Sequence, residues 1–364
     1  MAIHHRRRLL FLAAALALPP SAPAITTTGQ YTVTILGRVQ HNYQESTFSA
    51  AGINDNGIVA GSASVRVPDN PSLALRGVLW QSSTPHYTIL GTISELNGYD
   101  SLATCINNSG IAAGRSSENT SHGFVYVPVM FTPNGIVDLG VKNAASGIAT
   151  GINNNGQVVG NLYFDTPETA YQAFLYQNGI MTPLGYPVPT IGYSVAAAIN
   201  DSGLIVGAAT FGFNQSSHAA CYTNGAWVDL GTLGTGSNFT GAATSVNNSG
   251  AIVGYWINLP QGGLFIYQNG QMTSLGTAPG VGGNPFINDA GQIVAGDYIY
   301  QNGVWKDLND SDLGDGWTFS VAFGINNEGA IIGDVFRIVN RNILSRSALL
   351  TPVKSSQQPA TRTP

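Results

Sequence analysis

The chain has 364 residues, 14 Lys and Arg against 19 Asp and Glu, and only 9% charged side chains. So sparse and mildly acidic a composition, with its one basic run at the extreme N-terminus, excludes recognition of nucleic-acid phosphates, where cationic side chains supply the affinity. Two cysteines, Cys105 and Cys221, exclude a disulfide-stapled scaffold; they occupy non-equivalent places in two repeat units, so two buried free thiols are expected.

Residues 1–24 read as a signal peptide. Arg6, Arg7 and Arg8 precede the apolar stretch Leu9 to Leu18, and Ala22-Pro23-Ala24 fits a small-residue cleavage site. The apolar run is too short to span a bilayer, and no later segment reads as membrane-spanning. Cleavage removes three of the 14 basic residues and none of the 19 acids, leaving a mature chain of net −8. A secreted, extracellular or periplasmic location follows.

From residue 25 to 353 the chain is a repeat. An apolar residue, an Asn and a Gly three positions later return seven times. The pairs are Asn54 with Gly57, Asn107 with Gly110, Asn153 with Gly156, Asn200 with Gly203, Asn247 with Gly250, Asn288 with Gly291 and Asn326 with Gly329. Successive motif Asn residues are 53, 46, 47, 47, 41 and 38 positions apart. Such a period marks a repeat architecture. Each Asn-x-x-Gly reads as a tight turn in which the Asn side chain caps nearby backbone and Gly takes the left-handed position.

Each unit then continues in one order. A short strand such as Gln157-Val158-Val159-Gly160 follows, then a loop, then a third strand such as Leu264-Phe265-Ile266-Tyr267. In five units an Asn-Gly turn leads to the fourth strand: Asn134-Gly135, Asn178-Gly179, Asn224-Gly225, Asn269-Gly270 and Asn302-Gly303. Asn-Gly between apolar runs signals a type I′ hairpin. No stretch has helical periodicity.

Four antiparallel strands per unit, seven times, predict an all-β, seven-bladed β-propeller. The first unit leaves a spare fourth strand, Tyr31 to Gly37, and the last unit has a third strand, Ser347 to Leu350, but no fourth. The N-terminal strand is therefore expected to complete the last blade and close the ring, abolishing exposed edges. Four residues before the motif Asn stands Ala50, Ala103, Ala149, Ala196, Ala243 or Ala322, expected to be small because first strands crowd at the channel. The sixth unit has Asn284 instead. Residues 354–364, rich in Ser, Gln, Thr and Pro, read as a disordered tail.

With these motifs in place the chain resembles the HAF family of extracellular repeat proteins. Asp229-Leu230-Gly231-Thr232-Leu233-Gly234 matches that family's closing element, Asp138-Leu139-Gly140 matches part of it, and His218-Ala219 and His122-Gly123-Phe124 hold the eponymous slot. Gln172-Ala173-Phe174 and Gly263-Leu264-Phe265 depart from it. The resemblance implies export and a repeat fold and carries no activity.

Catalytic signals are weak. Gly192-Tyr193-Ser194-Val195-Ala196 has part of a nucleophile elbow but no following helix, and Ser101 and Ser320 share the slot of Ser194, as packing residues would. His122 and His218 share a third-strand slot without metal-ligand spacing. Asp310, Asp312 and Asp315, with Asp307, form an acidic link between units six and seven, a candidate weak calcium site set against a solvated loop. The Asn-Asp-x-Gly turns bring too little acid for a calcium loop.

The loops joining strand four to the next strand one, and strand two to strand three, emerge on one face. They are long and aromatic, whereas the Asn turns occupy the other face. Variable loops on a rigid scaffold are where binding resides. Tyr255, Trp256 and Trp317 are the candidate ligand contacts on that face. The expected function is a non-catalytic, monomeric binding module without a cofactor, its ligand a glycan or envelope protein; the alternatives are a polysaccharide lyase or hydrolase on a propeller scaffold and a purely structural matrix component.

Overall fold

The computed structural model describes residues 26–353, less 28–30, 37, 42–43, 67–72, 82–83, 94–99, 121–122, 166–170, 189–191, 213–215, 234–238, 259, 278–282, 311–312 and 314–315. The expected signal peptide and tail lie outside the described residues.

Seven antiparallel sheets of four ring strands each form a seven-bladed β-propeller. Blade 3 is representative, with strands Ser146–Ile152, Val158–Tyr163, Tyr171–Gln177 and Ile180–Pro183. Blade 1 adds the strand Arg38–His41 on its inner side, and blade 6 adds Thr26–Thr27, parallel to its fourth strand Val304–Asp307. In blade 7, Tyr31–Ile35 pairs antiparallel with Asn342–Pro352, Tyr31 opposite Pro352. The N-terminal strand thus closes the ring, as the strand count requires. Among the described residues no helix is long and apolar enough to cross a membrane.

Apolar clusters fill the interfaces between blades. Leu36, Phe48, Val59, Val78, Ile332 and Leu349 form the one between blades 7 and 1. Ala50, Ala103, Ala149, Ala196, Ala243 and Ala322 belong to these clusters and are at most 5% exposed. The channel wall is made by the next residues along, including Ala51, Gly52, Thr104, Cys105, Thr150 and Gly151. The alanines are small for a different reason than channel crowding. Each faces a strand-two glycine across the ladder, as Ala149 faces Gly160 and Ala243 faces Gly254, and a β-bulge follows at once. A Cβ on Gly254 would overlap the Ala242 carbonyl and lie 2.6 Å from Phe265 Cζ.

The fourth strands end on a shared device. Leu139, Leu184, Leu230 and Leu308 are buried, and their amides donate to carbonyls of strand three or its flank. Asp138 and Asp229 accept the amide of the Gly two residues on, at 2.7 and 2.9 Å. The Asp-Leu-Gly element is a strand terminator built from a buried plug and an Asx turn.

The seven motif turns form as read. Gly57, Gly110, Gly156, Gly203, Gly250, Gly291 and Gly329 all have positive φ, between 74° and 85°. The amide of each of these glycines donates to the carbonyl of its motif Asn, at 3.0 to 3.1 Å. They are turn-formers and none of them borders the long-loop face. Each motif Asn side-chain oxygen accepts the amide four residues on, at 2.8 to 3.0 Å. Each Asn also donates. Asn54 Nδ2 reaches the carbonyl of Asn107, Asn107 that of Asn153, then Asn200, Asn247, Asn288, Asn326 and back to Asn54, at 2.9 to 3.1 Å. A closed ring of seven buried hydrogen bonds therefore stitches the blades around the axis.

A second ring lies on it. The backbone amides of Asp55, Asn108, Asn154, Asp201, Asn248, Asp289 and Asn327 each donate to the side-chain oxygen of the next member, at 2.7 to 3.0 Å. No two of the three aspartates are neighbours, and three is the most that seven ring positions can hold on that condition. Each receives side-chain amides from adjacent Asn residues, such as Asn108 and Asn327 on Asp55 Oδ2.

Candidate functional site

Blade 6 is stunted. Its first strand is Phe286–Ile287 and its second Ile293–Ala295, against Thr240–Val246 in blade 5 and Thr318–Ile325 in blade 7. With so short a first strand beside it, its second strand carries Ala295 where other blades carry the ladder glycine, and Asn284 stands where they carry the alanine. The missing length leaves a cleft of about 700 Å³ between blades 5, 6 and 7 on the long-loop face.

Its walls are Tyr255, Trp256 and Ile257 at the end of strand two of blade 5, Leu264 opposite them, Phe286 on the floor, and Val321 to Phe323 of blade 7. The polar side chains are Tyr255, Trp256, Thr277 and Asn284; no described lining residue is charged. Gly262, Gly263, Gly283 and Gly296 expose backbone to the space. Trp256 lies parallel to Phe239 at 6.1 Å between centroids, with 5° between ring planes. Its indole Nε1 is buried and has no hydrogen-bond partner among the described residues.

Aromatic contacts run from this wall round the same face. Phe239 meets His218 edge-on at 6.0 Å, and His218 meets Phe211 at 6.3 Å. Farther round, Tyr171 meets Tyr163 and Tyr193 at 4.9 and 5.8 Å. Burial pushes the phenols of Tyr163 and Tyr193 upward, with neighbouring tyrosines adding to the shift. Tyr171, 38% exposed, opens the third strand of blade 3.

Of the sequence candidates, Tyr255 and Trp256 come together in the cleft. Trp317 does not; it packs just before the first strand of blade 7, under the Arg337 guanidinium, 4.6 Å from the ring centroid. Asp310 is exposed on a short 3-10 turn, while Asp312 and Asp315 lie outside the described residues. Asp307 is engaged locally, accepting the amide of Asn309 at 2.7 Å. Asn309 in turn clips blade 6 to blade 7 through both backbone groups of Phe319. Burial, with Asp307 nearby, raises the carboxyl of Asp297.

Ser194 is fully buried, accepting the Ala173 amide and donating to the Gly185 carbonyl. Ser101 likewise accepts the Gly77 amide, but Ser320 is exposed, because an extra bulge between Phe319 and Val321 shifts its phase. His218 Nδ1 pairs with Asp229 Oδ2 at 2.8 Å, so the two residues that carry the HAF resemblance in blade 4 meet across adjacent strands. Cys105 and Cys221 are both free thiols. Burial pushes the Cys105 thiol up to about 12 on the channel wall.

The sequence model of a family described as "Protein of unknown function (DUF3466)" matches residues 26–181, which run from the N-terminal strands into the last strand of blade 3. No curated protein matches the chain. Among solved structures the chain is similar to the acylaminoacyl peptidase of Pyrococcus horikoshii at 9% identity and TM-score 0.46, covering 82% of this chain and 52% of that one. It thus spans about half the length of the peptidase. It is also similar to TolB of Acinetobacter baumannii at 11% identity and TM-score 0.41, covering 89% and 97%. AofleA of Arthrobotrys oligospora follows at 11% and TM-score 0.37, covering 93% and 99%.

Proposed function

We propose that the protein is an exported, non-catalytic binding module that takes an uncharged ligand, a saccharide or another neutral envelope component, in the cleft above blade 6. The observation that carries this reading is Trp256: a cleft-wall indole whose ring offers an apolar stacking face and whose buried Nε1–H lacks an acceptor. Saccharides present both an apolar ring face and oxygen acceptors. An uncharged lining favours a neutral ligand over a phosphate or carboxylate. The HAF resemblance and the leader-like N-terminus support export.

The commitment of Ser194 and Asp307 to structural hydrogen bonds supports a binding rather than a catalytic role. The test is a glycan array probed with the mature chain, residues 25–364, with and without calcium, beside the Trp256→Phe variant. A hit that Trp256→Phe weakens supports the reading. Silence across the array in both conditions discards the saccharide and turns the search to protein partners; a hit only with calcium revives the acidic link at Asp310, Asp312 and Asp315.

A further inference from the structure

Blade 7 ends on the long-loop face in a projection. Its second and third strands, Ile331–Val339 and Asn342–Pro352, outrun both flanking strands. Pairing with strand one stops at Phe336, opposite Thr318, and pairing with the closing strand stops at Ala348, opposite Ile35. The Leu36 amide adds one bond to Ser347 O. Residues 337–346 therefore leave the sheet as a two-stranded ribbon. Its turn is Asn340-Arg341, with φ of 50° and 67°, the type I′ geometry of a tight hairpin.

The tip of this ribbon is apolar. Ile338 and Ile343 face each other across the ladder and are 71% and 74% exposed; Val339 is 41% exposed. The same stretch is basic: between Val335 and Val353 stand Arg337, Arg341 and Arg346 and no acid, in a chain where acids outnumber bases 19 to 14. The ribbon base is fixed by Arg337 on Trp317. On the adjacent blade 1, the corresponding hairpin carries Arg66 opposite Leu73, the latter 52% exposed.

We propose that this ribbon is a docking finger for the surface of an anionic phospholipid bilayer. Exposed aliphatic side chains between arginines are the two signals that peripheral attachment requires, apolar insertion at the acyl boundary and attraction to anionic headgroups. Arginine suits the position because its stem can lie along apolar surface while its guanidinium stays at the headgroups. The ribbon is pre-organised, so docking orders little. A ten-residue finger is too small for the ~800 Å² per partner of a stable protein interface, whereas a bilayer needs only its tip. Elsewhere the chain is acidic and repelled, so the finger sets the orientation.

The test is co-sedimentation of the full chain with vesicles of phosphatidylglycerol and phosphatidylcholine mixed equally, and with phosphatidylcholine alone. The expected result is binding to the anionic vesicles that falls as salt rises, is abolished by Ile338→Ser with Ile343→Ser, and drops about fivefold or more for Arg341→Glu. These side chains are exposed, so the variants should keep the thermal transition of the parent. No sedimentation with anionic vesicles overturns the proposal, as does binding that the variants leave unchanged. So does concentration-dependent self-association lost in the double Ser variant, which would make the tip a contact between copies.

Discussion

Asn326 donates its side-chain amide to the backbone carbonyl of Asn54 at 3.0 Å, joining blade 7 to blade 1 across 272 positions of sequence. The same Asn326 accepts the amide of Ala330 at 2.8 Å, so one buried side chain both shapes its turn and closes the ring. Replacing it by Ala leaves the Asn54 carbonyl and the Ala330 amide short of partners in a buried setting. Asn326→Ala is expected to cost about 2–4 kcal/mol in denaturant unfolding. An exposed control, Asn56→Ala, should cost under ~1 kcal/mol, since its bond to the Asn108 carbonyl is solvent-exposed. Equal costs for the two would show that the axial ring is not what holds the blades.

The second ring predicts a charge rule. Asn327 sits between Asp55 and Asp289 and donates to a carboxylate oxygen of each, at 3.1 and 3.0 Å. Asn327→Asp removes both donors and sets three carboxylates side by side. The site is exposed, so screening limits the cost to about 1 kcal/mol at neutral pH. Repulsion raises the pKa of the new carboxyl in the folded state. Its neutral form is therefore favoured by folding, and the deficit should shrink as pH falls towards about 4, stay small below it, and shrink as salt rises. A deficit independent of both pH and salt would contradict the rule.

Much of this architecture is legible in the sequence, and the part that is not has a physical reason. Blade number, ring closure and the two kinds of tight turn follow from counting Asn, Gly and strands, because each is a local requirement of φ or of strand pairing. The axial rings are non-local, yet they had a signal. A turn cap needs only an acceptor, which Asp or Ser also supplies; seven copies that are all Asn call for a residue that accepts and donates at once. The cleft had one as well, in Asn284 and the shortened period, though a missing strand leaves no residue of its own to read. The blade 7 finger was hidden because Arg337-Ile338-Val339-Asn340-Arg341 has no Asn-Gly pair, the signal that marks five of the hairpins between strands three and four.

The ladder glycines make a third expectation. Gly254→Ala should cost at least ~3 kcal/mol, since its methyl meets a carbonyl and the Phe265 ring and the bulged strand must move. Blade 6 already carries Ala295 at the equivalent place, and Ala295→Gly should cost only about 1 kcal/mol through backbone entropy and lost packing. Chemical denaturation of the two variants reads the contrast directly. Comparable values would mean that blade 6 is packed like its neighbours and the cleft is filled.

Alkaline pH should open the ring at its seam. Burial pushes the phenols of Tyr31, on the closing strand, and Tyr87, in blade 1, up to about 12. A pKa raised by folding means that the neutral phenol is stabilised. Its contribution is complete below the unfolded value of about 10 and is lost as pH climbs towards 12. Thermal stability should therefore fall between about pH 10 and 12, in step with tyrosinate absorbance, and Tyr31→Phe should flatten that fall. An unchanged profile in Tyr31→Phe would assign the loss to other groups.

Trp256 and Trp317 separate binding from scaffolding. Both are half-buried and on the long-loop face, but only Trp256 borders the cleft, and Trp317 lies beneath Arg337. Trp256→Phe keeps the stack on Phe239 and removes the indole N–H. It should leave stability within about 1.5 kcal/mol of the parent and weaken a cleft ligand roughly tenfold, the value of one hydrogen bond to an otherwise unpaired donor. Trp317→Leu removes the cation–π contact, worth about 0.5–1 kcal/mol, and should lower stability without changing affinity. Titration calorimetry of both variants with any glycan found on the array decides between them. If Trp317→Leu were the variant that lost affinity, the ligand would sit against blade 7 instead, and the unpaired Trp256 donor would be a packing feature alone.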